Sequence, residues 1–200
     1  MRVVHAIFSA PAMDVFAGDL VVFDAVNFKS VTSYRALDGK RYAFALRPAG
    51  MTNAKPLASN TEGLEDGSYY TVFALPGDNR SAHMRIVTDT LTRPADGKLR
   101  LRIVHAGDGV GAVDVRATGT DGTLFASVGF QTVSDYEDIG PVNGAVEIRA
   151  AGGAPLVTLP NAHLEVGRFY TLVLAGSSRS TPALEAFIIE DTLSPPSTTR

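Results

Sequence analysis

The chain of 200 residues contains no cysteine and no tryptophan, and neither sign of charge dominates. Without cysteine it can form no disulfide, thiolate metal site or cysteine nucleophile. The 18 basic and 21 acidic residues leave a net charge of −3, so no basic field attracts nucleic acid or an anionic membrane surface. No apolar run reaches the length of about 18 residues that indicates a membrane-spanning helix. We therefore expect neither nucleic-acid binding nor membrane insertion.

Helix signals are almost absent, whereas strand and turn signals recur along the whole chain. Hydrophobic residues make up 45% of the sequence, which is enough to build a packed core and argues against disorder. They follow a period of two and are interrupted at short intervals by turn residues such as Asp38-Gly39 and Asn143-Gly144. This pattern is typical of short antiparallel strands. The sequence predicts an all-β protein.

The chain also contains an internal repeat. Val4-His5-Ala6 recurs as Val104-His105-Ala106, and the motif Leu-x-x-Gly-x-x-Tyr that ends at Tyr70 recurs ending at Tyr170. A repeat of this length is a domain duplication and not a solenoid. We expect two tandem immunoglobulin-like (Greek-key) antiparallel β-sandwich domains, over residues 1–95 and 96–200.

The repeated Tyr70 and Tyr170 resemble the tyrosine corner of Greek-key sandwiches, in which a hydroxyl group ties a connecting loop to the following strand. Each tyrosine is expected to bury its ring and to satisfy its hydroxyl with a backbone partner. Plain core packing is the alternative. Both explanations are structural.

The opening of each copy resembles a known family. The resemblance, to the family of domain of unknown function 4397, is carried by Arg2-Val3-Val4-His5-Ala6, by Pro11-Ala12-Met13-Asp14-Val15-Phe16, and by Phe28, Val31 and Tyr34. It implies a bacterial or archaeal secreted or cell-surface protein, often with the domain in tandem, and brings no assigned activity. The loop after each histidine departs from the family pattern.

Two repeated His/Asp pairs are the sharpest candidates for chemistry: His5 with Asp14, and His105 with Asp114. Strand parity places each imidazole on the same face as apolar side chains. We expect each pair to be a buried, hydrogen-bonded structural pair that holds a turn. Metal binding and catalysis remain alternatives, although no nucleophile elbow, zinc motif or phosphate loop accompanies the histidines.

Recognition is expected where the two copies diverge, because loops on a rigid scaffold commonly carry binding. The candidates are Asn53, Arg80, Tyr136 and Asp138. Asp138 belongs to an acidic patch over residues 135–138, for which a solvated strand end is favoured over a calcium site.

A basic stretch opens the second copy. Lys98, Arg100 and Arg102 alternate with apolar residues, which predicts the polar face of a half-buried strand.

These observations favour a non-enzymatic module that binds or spaces something at a bacterial cell surface. We expect no cofactor and no metal, an unknown cell-surface protein or glycan as partner, and an extracytoplasmic location, with a leader absent from this chain. A hydrolase that uses His5 or His105 is one alternative, and a purely structural spacer is the other.

Overall fold

The chain folds into β-strands, as its apolar period predicts. The computed structural model describes residues 1–77, 81–120 and 122–193, which contain 15 strands and no helix. The predicted all-β class is confirmed. Within these residues there is accordingly no helix with the length and apolar character to cross a membrane.

The structure divides into two compact units. Unit 1 comprises Met1–Thr90 together with Leu193, and unit 2 comprises Leu91–Thr192. The strands of unit 1 are β1 (Arg2–His5), β2 (Met13–Ala17), β3 (Leu20–Val26), β4 (Arg41–Pro48), β5 (Ala58–Gly63), β6 (Tyr70–Pro76) and β7 (Ala82–Thr88). Those of unit 2 are β8 (Leu99–His105), β9 (Val113–Ala117), β10 (Phe125–Val128), β11 (Glu137–Ile139), β12 (Val142–Ala150), β13 (Pro155–Leu164), β14 (Phe169–Ala175) and β15 (Glu185–Glu190).

Each unit contains two sheets with matching strand order. In unit 1 the first sheet runs β1-β6-β7 and the second runs β3-β2-β4-β5. In unit 2 the first sheet runs β11-β8-β14-β15 and the second runs β10-β9-β12-β13. Both sheets of a unit contribute side chains to one core, such as Val72 with Val15 and Leu172 with Val115. The fold is therefore sandwich-like, whereas the immunoglobulin-like, Greek-key assignment stays a prediction.

One pair in each first sheet is parallel: β1 with β6, and β8 with β14. The prediction of purely antiparallel sheets is wrong for these pairs. The chain leaves the first sheet after β1, builds strands of the second sheet, and returns to lie beside β1 in the same direction. Alternation of apolar residues is the same in parallel and antiparallel pairs, so it could not predict this direction.

The central strands of the first sheets are buried on both faces. Neighbouring residues that point to opposite faces, such as Val72 and Phe73, are both 0% exposed. The same holds for Leu172 and Val173 in unit 2. Polar side chains on these strands therefore lose contact with water and need protein partners.

Candidate functional site

His5 and His105 close matching turns at the ends of β1 and β8. Both imidazoles are 0% exposed. Nδ1 of His5 accepts the N–H of Ile7 at 3.1 Å, so Nε2 carries the proton and donates to the Pro11 carbonyl at 3.3 Å. His105 repeats this pattern with the N–H of Gly107 at 3.3 Å and the Gly111 carbonyl at 2.9 Å. In both histidines the neutral ring therefore donates one hydrogen bond to the backbone and accepts one from it.

The chemistry of these histidines is limited by burial. Burial lowers the pKa of His5 and of His105, and a hydrogen bond to the Pro11 or Gly111 carbonyl opposes this only in part. Phe28 and Phe130 lie edge-on to the two rings, with centroids 6.2 and 5.8 Å away. Each ring thus has both nitrogens engaged and an aromatic neighbour, which is the environment of a structural histidine.

Asp14 and Asp114 are hydrogen-bonded to backbone amides and not to the histidines, so the predicted pairing within His/Asp pairs is wrong among the described residues. Asp14 accepts the N–H of Ala25 at 2.8 Å and of Gly50 at 2.9 Å. Both carboxylate oxygens are occupied, and the histidine has its own backbone partners. The two residues are close in the sequence, but their side chains bind different loops.

The carboxylates stabilise an unusual backbone conformation. Ala25 has φ 48° and Ser127 has φ 52°, in the left-handed region that residues with a side chain rarely adopt. Asp114 accepts the N–H of Ser127 at 2.8 Å and of Gly152 at 3.0 Å. These two bonds hold the pKa of the Asp114 carboxyl below its usual value. Each aspartate therefore joins the bulged edge strand to a loop.

A buried polar cluster in unit 1 was not predicted. Nε of Arg2 donates to Oγ1 of Thr71 at 2.9 Å, and Thr71 donates to Oδ2 of Asp89 at 2.6 Å. The hydroxyl of Tyr34 donates to the same carboxylate oxygen at 2.8 Å, beneath the Arg2 guanidinium. Burial first, and then the charge of Asp89, raises the pKa of the Tyr34 hydroxyl.

Unit 2 contains the same cluster. Arg102 donates to Thr171 at 2.8 Å, Thr171 to Asp191 at 2.5 Å, and Tyr136 to Asp191 at 2.8 Å. Arg102 is 2% exposed, so its predicted place on a solvated strand face is wrong. The available signal was an arginine among apolar residues in both copies, together with the repeated Asp-Thr-Leu after the last strand.

The tyrosines of the repeated corner motif contact their own loops. The hydroxyl of Tyr70 accepts the N–H of Glu65 at 3.0 Å, and that of Tyr170 accepts the N–H of Glu165 at 3.1 Å. Both rings belong to the cores. Gly67 and Gly167 supply the turn before each strand, with φ of 76° and 81°. This is the contact that a tyrosine corner makes.

The four recognition candidates are spread over different environments. Asn53 is exposed, in a loop whose carbonyls at Thr52 and Ala54 accept bonds from Arg47. Tyr136 is half-buried and donates to Asp191 in the cluster just described. Arg80 lies outside the described residues.

Asp138 lies at a strand edge, where it accepts a bond from Arg100 at 3.1 Å. Within residues 1–77, 81–120 and 122–193, no three His, Asp or Glu side chains are grouped to hold a metal ion. Nothing in the described acidic patch therefore favours the calcium hypothesis.

Unit 2 has one further polar contact that sequence reasoning missed. Ser177 is 2% exposed and donates to Asp108 at 2.8 Å, while its oxygen accepts the N–H of Arg179 at 3.0 Å. The serine does not bond to His105, whose nitrogens contact Gly107 and Gly111. The serine therefore fastens the glycine-rich loop and is not arranged as an activated nucleophile.

Comparison with known proteins gives a family but no activity. No curated protein matches the chain. A family model described as Domain of unknown function (DUF4397) matches residues 1–116, which is more than half of the chain. The chain therefore belongs to the DUF4397 family.

Proposed function

We propose that this protein is a non-enzymatic extracytoplasmic module that binds or spaces a partner at a bacterial cell surface. The observation that carries the proposal is that the polar side chains found at matching positions in both units are used to hold the fold. Both nitrogens of His5 and both oxygens of Asp14 contact backbone. A catalytic base needs a nitrogen free to take a proton from a nucleophile or substrate.

The hydrolase alternative is disfavoured by the same geometry. His5 and His105 have no exposed surface, and the buried Ser177 is hydrogen-bonded to Asp108 and not to His105. An acyl-transfer site needs a nucleophile hydrogen-bonded to a base, and the base hydrogen-bonded to an orienting group. In unit 2, Ser177 and Asp108 are bonded to each other, whereas the imidazole of His105 is bonded only to backbone groups.

Binding is favoured over pure spacing by the loop over residues 49–57 of unit 1. Met51 is 59% exposed and Leu57 is 36% exposed, and Arg47 holds the loop backbone in place through two carbonyls. Exposed apolar side chains on a loop with a fixed backbone suit recognition. The extracytoplasmic location rests on the family resemblance.

The test uses the purified chain with intact cells and envelope fractions of the source strain. We expect saturable binding that is reduced by the double change Met51→Ser and Asn53→Ser. The matched control is Val166→Ser, because Val166 is 50% exposed outside this loop. Binding that survives the loop change would reassign the surface, and the absence of any binding would favour the spacer.

The enzyme alternative needs its own measurement. Ester, peptide and glycoside substrates are incubated with the wild type and with His5→Gln and His105→Gln, and no turnover above the buffer rate is expected. Turnover that disappears in either variant would overturn the proposal. Immunodetection in the cytoplasmic fraction of the source strain would overturn the assigned location.

A further inference from the structure

The second sheet of each unit carries an arginine at the same position on its outer face. Arg47 of β4 and Arg149 of β12 each lie opposite the aspartate that anchors a loop, in matching strand pairs. In unit 2, Nε of Arg149 donates to the Gly153 carbonyl at 3.1 Å, and Nη1 donates to the Glu147 carboxylate at 2.6 Å. A carboxylate on the same strand therefore balances the charge of the guanidinium in unit 2.

The arginine of unit 1 has no such carboxylate on its strand. Ala45 stands at the position of Glu147, two residues before the arginine and on the same face. Nη1 of Arg47 donates to two carbonyls of the loop over residues 49–57, whereas Nε is buried and has no hydrogen-bond partner in the described part of the chain. The guanidinium packs over the Phe16 ring, 5.1 Å from its centroid. Arg47 is thus held in place without a carboxylate to balance its charge.

The aspartate opposite Arg47 does not supply the missing partner. Both oxygens of Asp14 accept backbone amides, from Ala25 and from Gly50, and no ion pair joins Asp14 to Arg47 among the described residues. Lys55 directly follows a residue whose carbonyl Arg47 binds. It is exposed and has neither an ion pair nor a hydrogen bond within residues 1–77, 81–120 and 122–193. Two cations without a carboxylate partner therefore lie at this loop.

Exposed apolar side chains flank the two cations. Met51 is 59% exposed and Leu57 is 36% exposed, and both belong to the loop whose backbone Arg47 holds. The loop therefore presents positive charge beside apolar surface. A protein segment that has carboxylates next to apolar side chains complements both properties, whereas an anionic glycan complements only the charge.

We propose that the loop over residues 49–57 binds an acidic segment of a partner protein, with a partner carboxylate on Arg47 and an apolar side chain against Met51. Unit 2 shows the same contact within one chain, because Arg149 binds the Glu147 carboxylate there. The bond between carboxylate and guanidinium selects an acidic partner, since charge-assisted hydrogen bonds are the strong ones. The apolar contact adds affinity. The inference rests on the proposed binding role of this loop and names the class of partner.

The probe is a peptide with the sequence Ser-Asp-Leu-Glu-Leu-Ser, blocked at both ends, and the control peptide has Asn and Gln in place of the two acids. Titrated into the isotopically labelled full chain, the acidic peptide is expected to shift the Nε–H signal of Arg47 and the amide signals of residues 51–55. The Nε–H signal of Arg149 should stay unchanged, because its guanidinium already binds a carboxylate. The control peptide should bind at least about tenfold more weakly. Equal binding of the two peptides would overturn the proposal.

A second arm places a competing carboxylate within the chain. Ala45→Glu reproduces in unit 1 the pairing of Glu147 with Arg149, and should weaken binding of the acidic peptide by about tenfold while the loop stays anchored. The matched control is Ala43→Glu, which adds the same charge on the same face of β4 but two residues farther from Arg47. It should change binding by less than about twofold, because solvent and salt screen the charge at that distance. Equal losses in the two variants would overturn the proposal.

The remaining outcomes separate this inference from the proposed function. Polygalacturonate, an anionic glycan, is titrated in parallel, and tighter binding of this polymer than of the acidic peptide would overturn the inference. Envelope binding that depends on Met51 and Asn53 but is unchanged in Ala45→Glu overturns only the inference. Loss of all envelope binding by the wild type, with peptide binding at Arg47 retained, overturns the proposed cell-surface role and not the site for an acidic segment.

Discussion

Unit 1 and unit 2 hold their strands with the same polar contacts but differ at the start of their first sheets. The arginine-threonine bond measures 2.9 Å in one unit and 2.8 Å in the other, and the tyrosine-aspartate bond measures 2.8 Å in both. By contrast, no strand among the described residues of unit 1 corresponds to β11. The contacts that occur in both units are those on which the shared fold depends, whereas the sheet edges differ without loss of these contacts.

The largest effect is expected from the buried clusters. Asp89→Ala and Asp191→Ala each remove the carboxylate beside a buried arginine, and should lower the free energy of unfolding by about 3–5 kcal/mol. Urea unfolding of the full chain measures the loss. Asp96→Ala is the control, because that side chain is 97% exposed, and should change stability by less than about 0.5 kcal/mol. A loss in only one unit would break the equivalence of the clusters.

The next effect compares equivalent positions in the two units, Leu37 and Ile139. Ile139→Ala removes a side chain that is 7% exposed beneath β8, and should cost about 2–5 kcal/mol. Leu37→Ala should cost less, because Leu37 is only half-buried. Equal losses in thermal unfolding would mean that the two side chains are equally buried in solution.

A smaller effect is expected at the two corners. Tyr70→Phe and Tyr170→Phe keep the packed ring and remove one hydroxyl bond, so each should lower stability by about 1 kcal/mol. Calorimetry of both variants checks the size, and envelope binding should be unchanged. If Tyr170→Phe left stability intact but abolished binding, the tyrosine would belong to a recognition site.

The smallest effect concerns pH. Burial lowers the pKa of His5 and His105, so the unfolded chain takes up protons that the folded chain does not. Stability from the neutral rings is complete above the unfolded pKa of about 6.5 and decreases as pH falls below it toward the folded values. The Asp114 pKa is also lowered, and adds a further decrease below about pH 3.8. Thermal midpoints at pH 7.5 and 5.0 should differ less in His105→Gln than in the wild type.

The parts of this structure that sequence could predict are those that depend on local pattern. The period of two predicted strands, and strand parity placed His5 on a buried face. The corner motif at Tyr70 predicted a hydroxyl bond to the preceding loop, because the turn and the tyrosine are only a few residues apart.

Contacts between distant segments could not be predicted from these local patterns. Arg102 alternates with apolar residues as a solvated arginine would, and its burial depends on a bond to Thr171, which in turn donates to Asp191. Asp14 lies nine residues after His5 but accepts a hydrogen bond from Gly50, in a different loop.

The parallel pairing of β1 with β6 also has a consequence for the order of folding. Hairpins such as β2 with β3 join neighbouring segments, whereas Arg2 pairs with Thr71 near the end of unit 1. Closing so long a loop has a high entropic cost and slows formation of the first sheet. During synthesis, strand β1 leaves the ribosome before β6 and stays unpaired until β6 follows. Strand β1 is therefore among the last strands of unit 1 to gain its partner, and it is open to association with other chains in the meantime.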